Sequence, residues 1–284
     1  MQEDPEAYRE RSRDRWERAA EGWSERSELW DRWTRPVTQW LVDALAPQPG
    51  QRVLELAAGP GDVGLLLAEL VSPGGSVLLT DGAEPMVAAA KARAEARGVA
   101  DVVEARAMEA EWIDLPAASV DGVACRWGYM LLADPDAALR ETRRVLRPGG
   151  RLALAAWDGP EANPWSAAIG RELVARGLVE QAPPDEPGQF AWRDRAAIGE
   201  RLRDAGFTDV ELATVPFTLH FDSLDDWWDH QVDLSMTLRD TLLAIDPAAR
   251  DDLMEAAQAR LAEHVEAEGR VVLPAATHVA SADA

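Results

Sequence analysis

Residues 53–62 read Val53-Leu54-Glu55-Leu56-Ala57-Ala58-Gly59-Pro60-Gly61-Asp62. Arg52–Ala57 is a short apolar run, the pattern of a buried strand, and Gly61–Val71 is a helical stretch. Between them lies a turn built on glycines. Glycine lets backbone approach a ligand without a side-chain clash. The first turn of a helix offers unpaired N–H groups and a partial positive charge. The stretch therefore predicts a strand, a tight turn and a helix whose start faces a polar or anionic ligand.

The same alternation continues downstream. Val77–Thr80 predicts a second strand, and Pro85–Arg97 a helix with Pro85 in its first turn and Gly98 as its stop. Val102–Ala107 and Val120–Arg126 predict the third and fourth strands. Asp134-Pro135 opens a helix that runs to Leu146 and stops at Pro148-Gly149-Gly150. Leu152–Trp157 predicts a fifth strand. Strands separated by helices imply an α/β fold, a parallel sheet with helices on both faces.

The flanks are less regular. Residues 181–188, Gln-Ala-Pro-Pro-Asp-Glu-Pro-Gly, predict a loop. Arg193–Ala205 predicts a helix, Val210–Phe221 a long strand, and Val271–Val279 a last strand. Leu224–Glu268 between those strands is mostly helical and restarts at Pro247. That is too long for a loop and reads as an inserted subdomain. Residues 1–47 carry Trp16, Trp23, Trp30, Trp33 and Trp40, at steps of seven, seven, three and seven. Such steps keep the rings near one helical face. Arg35-Pro36 is expected to break this segment into two helices.

Gly59-Pro60-Gly61-Asp62-Val63-Gly64 matches G-x-G-x-x-G, and Asp81 follows Gly59 by 22 residues. That is near the spacing of a ribose-binding acid in dinucleotide folds. Taken alone, the match allows a nicotinamide or flavin oxidoreductase. The only lysine, Lys91, lies inside a predicted helix, and no Tyr-x-x-x-Lys pair exists for hydride chemistry.

Five segments in order carry a more specific resemblance. They are Glu55-x-Ala57-x-Gly59-x-Gly61, the run from Thr80 to Met86, Met108-Glu109-Ala110-Glu111, the run from Asp121 to Trp127, and the run from Arg144 to Gly150. Together they resemble the class I S-adenosylmethionine (SAM) methyltransferases, in particular the type that includes the ubiquinone and menaquinone biosynthesis C-methyltransferases. The resemblance covers about residues 50–157. Ala57 departs from the usual first glycine, and Glu109 stands where Asp is commoner.

The resemblance implies a seven-stranded, mostly parallel, Rossmann-like sheet with one antiparallel strand. It would carry an N-terminal helical lid over residues 1–47 and a SAM-binding core over 48–222. A helical insert that binds the acceptor would span 223–269, and 270–284 would be the last strand of the core. SAM would be the cofactor, S-adenosylhomocysteine its product, and no metal would be needed. The turn Ala57–Gly61, with Gly59 at its centre, would face the methionine part, and Glu55 would help hold its amino group. Asp81 would take the ribose hydroxyls. Gly82 and Met86 would border the adenine, though Met86 reads equally well as core. Glu109 and the N–H of Ala110 would meet the adenine edge. Arg126 and Trp127 would lie by the sulfonium, with a plain ion pair the other reading of Arg126.

The acceptor side is less constrained. His220, His230 and Tyr129 are the candidate bases, and a histidine in such an insert is more often structural. Trp23, Trp30, Trp33, Trp227 and Trp228 are candidates for an aromatic lid over the acceptor, which would then be apolar or aromatic. Arg126-Trp127-Gly128-Tyr129 does not resemble the Asn/Asp-Pro-Pro-Tyr motif of enzymes that methylate amide or nucleobase amino nitrogens. The function expected is methyl transfer to a small organic molecule. The alternatives are a SAM-binding protein without methyl transfer and, behind it, the oxidoreductase.

Composition agrees. The net charge of −22 repels phosphate backbones and anionic membranes, so no nucleic-acid partner is expected. No apolar run approaches the length of a membrane helix, and the acidic N-terminus is unlike a signal peptide, so a cytoplasmic location is expected. Cys125 is the only cysteine, and His220, His230, His264 and His278 lack ligand spacing. The oligomeric state is open, a homodimer being one alternative.

Overall fold

The computed structural model describes residues 4–181, 183 and 186–284. Met1, Gln2 and Glu3, at the acidic N-terminus, and Ala182, Pro184 and Asp185, in the loop expected at 181–188, lie outside the described residues.

Seven strands form one sheet: β1 (Arg52–Glu55), β2 (Ser76–Asp81), β3 (Val103–Ala107), β4 (Val120–Arg126), β5 (Leu146–Trp157), β6 (Thr208–Phe221) and β7 (Val271–Asp283). Their order is β3-β2-β1-β4-β5-β7-β6. The first five pair in parallel, and β7 runs antiparallel between β5 and β6. This is the α/β, mostly parallel sheet with one reversed strand that the resemblance implies. Leu54 lies level with Leu78 on one side and Val123 on the other. The strand order turns back at β1 and β4, so a crevice opens above their carboxyl ends, the usual place for a ligand.

The central strands read as continuous apolar runs because both faces are covered. Leu54, Val123, Ala124, Leu152 and Leu154 are fully buried. On the faces lie α2 (Asp62–Val71), α3 (Glu84–Arg97), α4 (Pro135–Val145), α5 (Pro164–Ala175) and α6 (Arg195–Asp204). Between β6 and β7 come α7 (Leu224–Leu234), α8 (Met236–Ala244) and α9 (Pro247–Ala259).

Three elements differ from the sequence reading. First, residues 5–45 form one helix, α1 (Pro5–Leu45), with Pro36 inside it. Pro36 and Arg32, whose carbonyl loses its partner, both lie on the exposed side, where water can serve that carbonyl. Trp33, Thr34, Val37 and Thr38 hold the opposite side in the core. Packing of that face overrides the local break. Second, β5 begins at Leu146, before Pro148-Gly149-Gly150. Val120 pairs with Leu146 and Gly122 with Arg151, so a register shift absorbs the turn-like residues. Third, α5, capped at Asn163, fills a stretch to which no element was assigned.

Because Pro36 removes a helix hydrogen bond on an exposed face, Pro36→Ala should stabilise the fold by about 1–3 kcal/mol. Urea unfolding followed by circular dichroism would show the higher midpoint, and a lower one would mean that the ring is needed for packing.

Candidate active site

The turn after β1 bends through the left-handed region three times, at Ala57 (φ 49°), Gly59 (φ 52°) and Gly61 (φ 86°). Ala57 thus adopts the conformation that glycine tolerates best. Its methyl packs towards Gly128, where an added Cβ would lie 2.7 Å from that of Ala57. The same Cβ would fall 2.6 Å from Cys125 Sγ, so two neighbours leave room there only for glycine. Gly61 is the N-cap of α2.

Acidic side chains hold this turn from below. Asp81, ending β2, accepts hydrogen bonds from the N–H of Gly59 (2.8 Å) and of Ala83 (3.0 Å). Burial pushes its pKa up, opposed by those N–H donors. Glu55 is 2 % exposed and accepts from the N–H of Gly64 at 2.7 Å. Gly64 leaves space for that contact: a Cβ there would fall 2.4 Å from Glu55 Oε2. Burial raises the Glu55 pKa to about 8, against the pull of Arg126. Asp62, the first residue of α2, is buried between two cations: Arg93 at 2.5 Å and Arg126. Arg126 also donates to Thr34 Oγ1 and Thr38 Oγ1, each at 2.9 Å, which fastens α1 to the end of β4.

A cleft of about 160 Å³ lies over this turn. Of the residues singled out from sequence, Glu55, Ala57, Gly59, Asp81, Gly82, Met86, Glu109, Arg126, Trp127 and Trp23 line it. Gly61 and Ala110 adjoin it without lining it. Met86 is 2 % exposed and packs with Ala20, Ala83, Trp16 and Trp23, so it is core and cleft wall at once. Arg126 is committed to Asp62, to α1 and to the ring of Trp127, 4.8 Å from its guanidinium carbon.

The roof was not anticipated in detail. The N-terminal half of α1 brings Tyr8, Arg9, Ser12, Arg13 and Trp16 to the cleft. Arg13 donates to Glu109 Oε1 at 2.5 Å, and Arg9 pairs with the buried Glu111. Tyr8 Oη donates to the carbonyl of Leu131 at 2.9 Å. The one signal was spacing: Arg9 and Arg13 lie one helical turn apart, facing an acidic pair two residues apart.

The acceptor-side candidates scatter. Tyr129 is buried, bonded to Thr142 Oγ1 at 2.6 Å and stacked on Trp192. His220 is exposed on β6, its Nε2 2.9 Å from Thr218 Oγ1. His230 is buried against Trp30, Trp33 and Phe221, and burial pulls its pKa down to about 4. None of the three lines the cleft. Trp33, Trp227 and Trp228 are packed into the core, with Trp227 Nε1 donating to the carbonyl of Trp165 at 2.8 Å. Among the described residues no group of three His, Cys, Asp or Glu side chains could hold a metal ion.

Comparison with known proteins decides the family. A methyltransferase-domain family model matches residues 54–154. The ubiquinone/menaquinone biosynthesis C-methyltransferase of Cellvibrio japonicus is 32% identical over 193 residues, 65% of this chain and 75% of that protein. The chain belongs to the SAM-dependent methyltransferases. The demethylmenaquinone methyltransferase of Thermus thermophilus is 40% identical over 131 residues, 45% of this methyltransferase and 56% of that relative. Nocamycin O-methyltransferase of Saccharothrix syringae is 34% identical over 196 residues, 62% of this chain and 66% of its own. The match thus spans less than two thirds of the length of these last two relatives. Among solved structures, the YcgJ protein of a Bacillus has a TM-score of 0.57 at 18% identity, covering 87% of this chain and 97% of its own. The [4+2]-cyclase SpnF has a TM-score of 0.55 at 19% identity, covering 87% and 80%.

The raised pKa of Glu55 makes a signed prediction. A buried acid held protonated contributes most below its unfolded pKa of about 4.5, and that contribution is lost as pH rises through about 8. Glu55→Gln should therefore gain stability relative to wild type across that window, by at most about 1.4 kcal/mol per pH unit. Urea melts at a series of pH values would show the variant-minus-wild-type difference rising with pH across that window, and parallel curves would refute the shift.

Proposed function

We propose that the protein transfers a methyl group from SAM to a small, apolar or aromatic organic acceptor. The observation that carries this reading is the cleft over the Ala57–Gly61 turn, with Asp81 at its floor and apolar rings on its walls. The residues fit the cofactor. The Asp81 carboxylate has acceptor capacity left for ribose hydroxyls beyond its two N–H bonds. Glu55 stands near the position where the amino group would lie, and Gly82 and Met86 offer a narrow apolar slot for a planar base. Glu109 and Ala110 are at the base edge, with Arg13 paired to Glu109. Trp127 lines the cleft beside the place where the sulfonium would lie.

Bound SAM would supply a methyl carbon already activated by positive sulfur. The chain's own task is then alignment and exclusion of water. The roof made by Tyr8, Arg9, Arg13 and Trp16 covers the turn and would shield the reacting atoms from solvent. Trp127, stacked at 4.4 Å on Trp157 and bonded through Nε1 to Thr277 Oγ1 at 3.2 Å, is a fixed wall against which an acceptor ring can be placed. No base in the cleft is required unless the acceptor must lose a proton.

The choice of acceptor class rests on two supports. The relatives named above act, by their names, on quinone precursors and on nocamycin. Indole rings crowd the space behind the cleft, while the net charge of −22 disfavours polyanions. In this division of labour residues 1–47 are the lid, 48–222 with 270–284 the cofactor core, and 223–269 the acceptor-binding insert. A second reading keeps SAM but not the transfer, since SpnF shares the fold under another activity's name.

Calorimetric titration of SAM and S-adenosylhomocysteine tests the cofactor assignment, with NADH as the control. Wild type should bind both sulfur nucleosides and not NADH. Asp81→Ala should weaken them by roughly 10- to 100-fold, the worth of charge-assisted hydrogen bonds. NADH binding in their place would overturn the reading. Turnover with candidate acceptors then separates transfer from binding alone.

A further inference from the structure

Trp30 is 2 % exposed and is the hub of the aromatic cluster. It touches Trp23, Trp33, Trp127, Trp157, Trp165 and His230, at ring-centroid distances from 5.5 to 6.3 Å. Its neighbours Trp23 and Trp127 line the cleft, and its neighbour His230 does not. Trp30 is thus in ring contact both with the cleft wall and with His230.

Both polar ends of this pair are unsatisfied. Trp30 Nε1 and both ring nitrogens of His230 are buried and meet no hydrogen-bond partner among the described residues. Other buried indoles of the cluster find one: Trp127 on Thr277, Trp165 on Asn163, Trp227 on the Trp165 carbonyl. A buried polar group without a partner is costly and rare, so three nitrogens on two touching rings call for an explanation. His230 could be an aromatic filler at lower cost as phenylalanine, since its surroundings are Trp30, Trp33 and Phe221. Burial favours its neutral form, which presents one N–H donor and one lone pair.

The pair also lies on elements outside the stretch matched by the family model, residues 54–154. Trp30 comes from α1 and His230 from α7. Parts of a chain outside the shared cofactor core are where acceptor selection belongs.

We propose, on the methyltransferase reading above, that Trp30 and His230 are the specificity-determining pair of the acceptor subsite. Trp23 and behind it Trp30 are the rings that turn aside, past the fixed Trp127, to admit a planar acceptor from the cleft. His230 then accepts the hydrogen bond of a hydroxyl on that acceptor, and Trp30 Nε1 donates to an oxygen. The substrate class is accordingly an aromatic ring bearing a hydroxyl group, held by faces on its sides and by these two nitrogens at its polar edge. A site built to bind a hydroxyl discriminates strongly against the analogue that lacks it.

A matched pair of probes tests this: 2-naphthol and naphthalene, bound by equilibrium dialysis in the presence of saturating S-adenosylhomocysteine. Wild type should prefer 2-naphthol by about 10-fold or more, and His230→Phe should reduce the preference to about 2-fold or less. Naphthalene affinity should stay unchanged in His230→Phe, as should its melting temperature or better. Trp30→Phe, which keeps the ring and removes the N–H, should lower the preference in the same direction. Equal binding of the two probes to wild type, binding of neither, or a preference that survives both substitutions would overturn the pair's role. Calorimetry of S-adenosylhomocysteine on the same samples keeps the two claims apart. Cofactor binding with no hydroxyl preference refutes the pair alone, whereas loss of cofactor binding in wild type refutes the methyltransferase reading beneath it.

Discussion

Asp62 takes a negative charge into the core at the first turn of α2, and the geometry above the sheet hangs on how it is neutralised. Burying a carboxylate is expensive unless it is paired and hydrogen-bonded. Two guanidinium groups meet it, Arg93 from α3 and Arg126 from β4, and the helix start adds a favourable field. Arg126 then has donors to spare and gives them to Thr34 and Thr38. The charge that fixes the turn after β1 is thereby the charge that fixes α1. Asp62 thus links the turn at the cleft floor to the helix whose N-terminal half is the roof.

This coupling explains what the sequence made legible. The cradle around Gly59 and Asp81 is local: a strand, a turn and a helix start lie within ten residues, and Asp81, 22 residues beyond Gly59, closes the second strand. Backbone conformation there follows from residue type, so the motif could be read. The roof is not local. Arg9 and Arg13 meet Glu111 and Glu109 about a hundred residues away, and only the packing of α1 brings them together. The same packing carried α1 straight through Pro36, where the local rule predicts a break. At β5 a register shift hid the strand's first turn behind Pro148-Gly149-Gly150. In each case a tertiary term outweighed a local one.

The tryptophan series shows the other limit. Its heptad-like steps placed the rings on one face of α1, as expected, but could not say what that face meets. In the structure Trp16 and Trp23 reach the cleft, while Trp30 and Trp33 continue inward to β6 and α7. Trp227 and Trp228 satisfy the core. Aromatic residues read alike in sequence whether they fill space or face a ligand. What separates them is the fate of their polar atoms, and that is visible only in three dimensions.

The Trp127–Trp157 stack has an optical consequence. Two indoles lie 4.4 Å apart with planes 9° from parallel, locked by β4, β5 and a hydrogen bond to β7. Transition dipoles held that close in a chiral frame couple, and their absorption splits into bands of opposite rotational sign. One ring of the pair forms part of the cleft wall, so its surroundings change when the cleft fills. The protein therefore carries a native chromophore pair at the seam of its sheet, able to report occupancy without an attached label.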